Sequence, residues 1–188
     1  MNIVVERADG GRIYCRPDTT WERENKDYYS PDGIQELWWS PIVFVRICKA
    51  GKSIGKKFAT RYYDAVGYGA LLYIGDSMPD VASASCADHT SLLPFPMYNP
   101  AVLENKGNAF MVMKDGECIF AHEGVESEDV ERIENAICNA SRLTSLRIGD
   151  FVAVELQPTG LLSAKSEGKT AFKASYCENS LFDFKIIH

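Results

Sequence analysis

Basic residues are in the minority in this chain of 188 residues: Lys and Arg number 20 against 26 Asp and Glu, for a net charge of −6. Nucleic acids and anionic membranes are gripped through basic clusters, so neither is expected as a partner. The one dense basic patch, residues 49–57, is short. No apolar run approaches the ~20 residues that a spanning helix requires. The opening MNIVVERADGG meets acid too early for a secretory leader, which makes the cytoplasm the expected compartment. No two of the cysteines at 15, 48, 86, 118, 138 and 177 form a Cys-x-x-Cys clip, which argues against a zinc site. Several sit in apolar patterns, as in Ile47-Cys48 and Ile137-Cys138, and reduced core cysteines are expected. Internal repeats, linkers and low-complexity segments are also missing. What is present is 46% apolar residues, enough for a real core, in a length that suits one domain spanning 1–188.

The pattern predicts many short strands and two helices. Residues 1–6 and 12–16 read as strands separated by Asp9-Gly10-Gly11. A polar stretch follows to Gly33, anchored only by Trp21, Tyr28 and Tyr29. Residues 38–48 are β-branched and aromatic, with Pro41 predicting a bend or a sheet edge because it lacks an amide donor. Phe58, Tyr62 and Val66 stand at i, i+4 and i+8, which predicts a helix over 56–66 capped by Gly67. Residues 68–74 would return as a buried strand, 76–90 as a loop of small and polar residues, and 92–102, with its prolines, as irregular extended chain. Asp115-Gly116 predicts a tight hairpin joining 109–113 to 117–121. Ser127 is a good N-cap for a second helix, with Glu128 and Asp129 complementing its dipole and Val130, Ile133, Ile137 and Ala140 as its apolar stripe. Residues 151–156, 169–176 and 181–187 read as further strands. Helices and strands do not alternate, so the fold class is α+β and mostly β, a roll or barrel rather than a doubly wound sheet.

Most chemical motifs fail on inspection. Ala50-Gly51-Lys52-Ser53 ends like a phosphate-binding loop, but Arg46 stands where the earlier glycine is needed. Gly67-Tyr68-Gly69 follows a helical pattern rather than a strand, the wrong setting for a dinucleotide fingerprint. Asn139-Ala140-Ser141 falls within a helix, and no Gly-x-Ser-x-Gly elbow is present. Among the histidines, His188 is terminal and expected to fray, and His122 follows a hairpin strand. Asp76, Asp80, Asp88 and His89 form the one acidic and imidazole group dense enough to hold a hard cation or to activate water.

Arg16-Pro17-Asp18-Thr19 and, more specifically, residues 51–69 resemble the fumarylacetoacetate hydrolase family. The matching positions are Gly51-Lys52, Ile54, Lys57-Phe58-Ala59, Tyr62-Tyr63-Asp64, Val66-Gly67 and Gly69. The resemblance continues in order through Asp115-Gly116-Glu117, Ser141 to Asp150, Pro158 with Gly160, and Leu181 to Ile186. It covers nearly the whole chain and implies the β roll of that family's C-terminal domain. It also implies a hydrolase, isomerase or decarboxylase of β-diketo acids and acylpyruvates. In such an enzyme Mg²⁺ or Mn²⁺, held by a Glu-x-Glu pair and an Asp on the next strand, stabilises an enolate or carbanion, and a His–Glu pair on an N-terminal loop activates water.

Carried over position by position, the site is depleted. The Glu-x-Glu positions fall on Ser40 and Ile42, the Asp on Leu71, and the loop threonines on Glu155 and Gln157; the His–Glu segment has no counterpart. Hydrocarbon offers a hard ion nothing, so no metal is expected there. Three readings stand. The first is a non-catalytic member that binds a small organic acid or apolar ligand in a cleft lined by Arg16, Ser40, Ile42, Leu71 and Tyr73, or that pairs with an active relative. The second is an enzyme with a relocated site, catalytic through Asp88 and His89, its Mg²⁺ or Mn²⁺ held by Asp76, Asp80 and Asp88. The third is a homodimeric scaffold with the Trp38-Trp39 pair at its interface.

Overall fold

In a computed structural model, residues 1–10, 13–76, 81–104, 107–123 and 128–188 are described. The chain runs through β1 (Asn2–Glu6), β2 (Tyr14–Pro17), β3 (Trp21–Glu22) and β4 (Tyr28–Tyr29) into a long pair, β5 (Glu36–Ile47) and β6 (Tyr63–Gly75). It continues through α1 (Val81–Ala84), β7 (Ser91–Leu92), the hairpin β8 (Ala109–Lys114) and β9 (Glu117–Glu123), and α2 (Glu128–Leu143). It closes with β10 (Phe151–Glu155), β11 (Gly160–Ala164), β12 (Lys169–Tyr176) and β13 (Asn179–Ile187). An eight-stranded sheet takes the order β2-β1-β10-β5-β6-β7-β3, with β11 also paired to β5. A five-stranded sheet takes the order β4-β13-β12-β8-β9. The result is the expected mostly-β architecture, with a nearly closed, barrel-like sheet and few helices.

The β5–β6 pair is the spine. Its register runs from Glu36↔Gly75 to Ile47↔Tyr63, and both of its faces are buried. Trp39, Val43, Val45, Val66, Tyr68 and Leu72 face the second sheet and α2, while Ile42, Phe44, Leu71 and Tyr73 face the concave side of the first sheet. A strand buried on both faces reads as continuous hydrocarbon rather than as an alternation. Each such side chain contributes about 1.5–3 kcal/mol on leaving water.

Pro41 lies in the middle of this sheet, not at an edge. Its carbonyl accepts the Leu156 amide at 2.8 Å. The proline nitrogen faces the same side, in the gap where β10 ends at Glu155↔Ile42 and β11 begins at Gly160↔Trp39, so no ladder bond is lost.

The helix predicted over 56–66 is replaced by a 3-10 turn at Lys56–Arg61, and Gly67 lies inside β6. A β-carbon on Gly67 would stand 2.5 Å from the Phe44 ring, so the glycine serves close packing rather than capping. Pairing along the full length of β5 outweighs the local helical spacing, and it splits the supposed stripe: Phe58 is exposed while Val66 is in the core.

The hairpin and the second helix fall where expected. Asp115 and Gly116 have φ of 49° and 88°, the paired positive values of a tight turn. Ile133, Ile137 and Ala140 are buried on α2; its expected cap, Ser127, lies outside the described residues, as do Gly11 and Arg12 of the first hairpin. The polar stretch before Gly33 contributes β3 and β4 through its predicted anchors, and the 76–90 loop contains α1. Strand β11 was not predicted. Of the cysteines, all free, only Cys138 is buried; Cys15 and Cys118 are exposed on β2 and β9, and Cys86 is exposed in the turn after α1. His188 is tied down, its amide to the Gly168 carbonyl at 3.0 Å and its Nε2 to the Ser163 hydroxyl at 2.8 Å. Among the described residues no helix is long and apolar enough to cross a membrane.

Candidate functional site

The positions that the resemblance assigns to metal ligands sit side by side. Ser40 pairs with Leu71 across β5 and β6, and Ile42 pairs with Gly69. Side chains alternate along a strand, so Ser40, Ile42, Leu71 and Tyr73 share one face. All of them have 0% exposure. Ile42 and Leu71 pack with Ile3, Phe44, Leu93 and Phe151, and the Ser40 hydroxyl donates to the Gln157 carbonyl at 2.7 Å. Gly69 brings backbone against backbone beneath them: a β-carbon there would stand 2.1 Å from the Leu92 carbonyl oxygen.

The remaining polar groups on this face form a linked network, in which Arg16 Nε alone among the atoms of that guanidinium is left without a partner. Arg16, at 0% exposure, donates through Nη1 to the Thr90 carbonyl and the Ser91 hydroxyl, both at 2.9 Å, and through Nη2 to the Leu72 carbonyl at 2.5 Å. Its guanidinium carbon lies 4.8 Å from the centre of the Tyr73 ring. The Tyr73 hydroxyl donates to Glu155, shares a 2.5 Å hydrogen bond with the Tyr14 hydroxyl, and so links the buried carboxylate to the buried cation. The Ala8 amide donates to the other Glu155 oxygen at 3.2 Å. Burial raises the Glu155 carboxyl above its ordinary value, against the pull of its hydrogen bonds from Tyr73 and Ala8. Burial likewise pushes the Tyr14 phenol up to about 12 and the Tyr73 phenol well above its ordinary range.

This donor set does not fit Mg²⁺ or Mn²⁺. A hard cation needs several converging oxygens; here two of the assigned positions are hydrocarbon and the serine is engaged. The nearest carboxylate of the face, Glu155, is already held by Tyr73 and Ala8. The five residues expected to line a cleft therefore share one face of the first sheet, but as packed interior.

Of the relocated set, the described members do not all share one cavity. Asp76 accepts the Gln35 amide at 3.0 Å, and Asp80 lies outside the described residues. Among the described residues no three His, Cys, Asp or Glu side chains converge as a metal would need. Asp88 and His89 do line one cavity of about 740 Å³, together with Glu22, Lys26, Tyr28 and Phe184. There His89 Nδ1 lies 2.8 Å from Glu22 Oε2, and the His89 backbone has φ of 58°. A second groove, of about 350 Å³, runs past Trp21, Phe95 and Phe182. A third, of about 300 Å³, reaches Arg7, Arg132 and Glu155. None of these three touches Ser40, Ile42, Leu71 or Tyr73.

Sequence reasoning missed a buried cluster on the other face of β6. The Tyr68 hydroxyl donates to Asp129 Oδ2 at 2.8 Å, and His122 Nε2 approaches the same oxygen at 2.8 Å. Asp129 looked like a dipole-complementing residue of an exposed first turn, and no spacing links it to Tyr68. Trp39 is buried edge-on against Phe120 and Phe172, while Trp38 is half-buried and donates to Glu36 at 3.1 Å. The tryptophan pair therefore does not form an exposed patch.

No protein-family model matches the chain, and no curated protein matches it. Solved structures do. A fumarylacetoacetate hydrolase family protein from Yersinia pestis CO92 aligns with a TM-score of 0.75 at 15% identity, over 99% of this chain and 93% of that one. Fumarylpyruvate hydrolase from Pseudomonas aeruginosa, in complex with Mn²⁺ and pyruvate, aligns at 0.76 and 14%, over 100% and 88%. The 5-carboxymethyl-2-hydroxymuconate delta-isomerase of Mycobacterium smegmatis aligns at 0.73 and 11%, over 99% and 77%. The protein has the fumarylacetoacetate hydrolase fold.

Proposed function

We propose that this chain is a non-catalytic protein of the fumarylacetoacetate hydrolase fold, in which the metal cleft has become hydrophobic interior and the role is binding rather than turnover. One observation carries the reading: Ile42 and Leu71, at two of the three assigned ligand positions, are completely buried among hydrocarbon. The third position, Ser40, is buried and hydrogen-bonded. Pairing of two copies, or of this chain with an active chain of the same fold, is the assembly that the resemblance implies. Calorimetric titration with Mn²⁺ and Mg²⁺ tests the reading, with no binding expected at micromolar concentrations. Micromolar affinity, or metal-dependent turnover of an acylpyruvate or oxaloacetate, would overturn it.

The rival is a metal-dependent hydrolase, isomerase or decarboxylase with its chemistry moved to Asp88 and His89. It is favoured by the Glu22–His89 contact within the 740 Å³ cavity, an imidazole oriented by a carboxylate beside a second carboxylate. Against it stands the charge of that cavity, whose Glu22, Asp27 and Asp88 face Lys26 alone among the fixed cations of its described lining and repel acidic substrates. Turnover abolished by Asp88→Ala would favour the rival.

A further inference from the structure

We propose that the cavity between the β4 segment and the Ala87–His89 turn is a binding site for a small organic cation, an amine carried on an apolar body. The proposal does not depend on whether the former metal cleft is closed. The volume of about 740 Å³ lies within the range of small-molecule sites, and Ile74, Leu92 and Phe184 supply the apolar lining such sites use.

The polar groups of the cavity are unequally engaged. Lys26 is turned to Glu24 in an ion pair. Asp27 accepts the Lys185 amide at 2.8 Å. Glu22 accepts the Glu24 amide at 2.6 Å through one oxygen and meets His89 through the other. Asp88 holds no hydrogen bond or ion pair among the described residues, so at the cavity wall its charge is met by solvent alone and is open to a ligand. A second group is independent of it. Tyr28 has only 7% exposure, yet its hydroxyl has no hydrogen-bond partner among the described residues while its side chain lines the same cavity. Burial pushes that phenol up to about 12, with Arg16 pulling it down and Asp88 adding to the rise, which places Tyr28 and Asp88 within electrostatic reach of each other. The hydroxyl is not among the fully buried polar atoms, so it opens to the cavity and is free to accept a hydrogen bond from a ligand.

An ammonium group satisfies both: it donates to the Asp88 carboxylate and to the Tyr28 oxygen, while its apolar body covers Leu92 and Phe184. Tyr29, at 70% exposure on the rim, adds an aromatic face to which a cation is attracted. A carboxylate ligand of the same shape would meet Asp88, Asp27 and Glu22 instead.

Phenethylamine is the probe, compared with 3-phenylpropionate and 2-phenylethanol, by backbone amide shifts of the intact protein. Saturable shifts at Tyr29, His89 and Leu92 are expected with the amine, and weaker ones with the alcohol. Asp88→Asn should weaken the amine about tenfold, as for one lost charge-assisted hydrogen bond, and leave the alcohol unchanged. Asp88 is exposed, so this variant keeps the fold. Tyr28→Phe should weaken the amine and the alcohol alike. Non-saturable amine shifts, equal or tighter binding of 3-phenylpropionate, or an amine affinity unmoved by Asp88→Asn would overturn the proposal.

Discussion

Arg16 Nη1 donates to the Thr90 carbonyl oxygen at 2.9 Å from a position with no solvent exposure. A residue expected to line an open cleft instead clamps β2 to the chain that follows His89. Its partners are neutral: two carbonyls and the Ser91 hydroxyl, with the Tyr73 ring beneath. Replacement by Met fills the volume but leaves the Leu72 carbonyl without this donor. Arg16→Met is expected to lose about 2–4 kcal/mol of stability in urea unfolding, as for buried hydrogen bonds to a charged group. It should also broaden the Asp88 and His89 amide signals, because the turn carrying them is released. An unchanged midpoint would show that the clamp is dispensable.

Leu71→Asp separates a packed interior from an open cleft. A carboxylate placed among Ile42, Phe44 and Leu93 cannot reach water, and the buried Arg16 of that face is already committed to Thr90, Ser91 and Leu72. Destabilisation of several kcal/mol, or failure to fold, is expected. Leu71→Ala provides the control, with a loss of about 2–5 kcal/mol from cavity formation. Circular dichroism melts of both variants make the comparison. An aspartate variant as stable as wild type would mean that solvent or metal already reaches the site.

Glu155→Gln should change how stability depends on pH. Burial raises the folded-state pKa of Glu155 above an unfolded value near 4.5. The folded chain therefore keeps that proton to higher pH than the unfolded chain does. The resulting stabilisation is complete below pH 4.5 and is lost as the pH rises through the folded value. Gln stays neutral throughout and still accepts from Tyr73. Its loss of the Ala8 hydrogen bond is a constant offset. Relative to wild type, the variant should gain stability as the pH rises above 4.5 and give that gain back on acidification. Parallel stability curves across pH 4–8 would contradict the buried, proton-retaining carboxyl.

The parts of the fold legible in the sequence were those set by local chemistry. Asp115-Gly116 specified its hairpin because both turn residues need positive φ, and the stripe of α2 specified its buried face. The 56–66 segment misled because its helical spacing is real but overruled by pairing with β5, the preceding strand, whose register demands extended chain at Tyr63. The emptied ligand positions were readable, since Ile and Leu cannot hold an ion anywhere. That the cleft is filled was not, because filling depends on Arg16, Tyr14 and Glu155 arriving from β2 and β10. The Asp88 cavity was half-visible: the two residues were singled out, but Tyr28 and Glu22 join them through parallel pairings, β4 with β13 and β3 with β7, that no spacing announces.

Asp129 provides the opposite pH signature. Its carboxylate is 2% exposed and joins the first turn of α2 to β6 and β9 through Tyr68 and His122. Burial alone would raise its pKa. The hydrogen bond and charge of His122, then the Tyr68 hydroxyl and Arg132, outweigh that and hold it below the ordinary 3.8. The stabilisation is therefore present above pH 3.8 and is lost as the pH falls through the folded value. Asp129→Asn keeps the shape and one acceptor but removes the charge. It should lower stability at pH 7 by about 2–3 kcal/mol, in line with charged buried hydrogen bonds, and should abolish the acid-side decline that Asp129 contributes. The same substitution removes the negative charge that adds to burial in holding the Tyr68 phenol protonated, so tyrosine titration should begin at lower pH in the variant, where burial, Tyr176 and Cys177 still raise it. Urea unfolding from pH 2 to pH 7, with absorbance titration at the alkaline end, measures both. If the acid limb of the variant followed that of wild type, Asp129 would not be the group that ties the helix to the two strands through its charge.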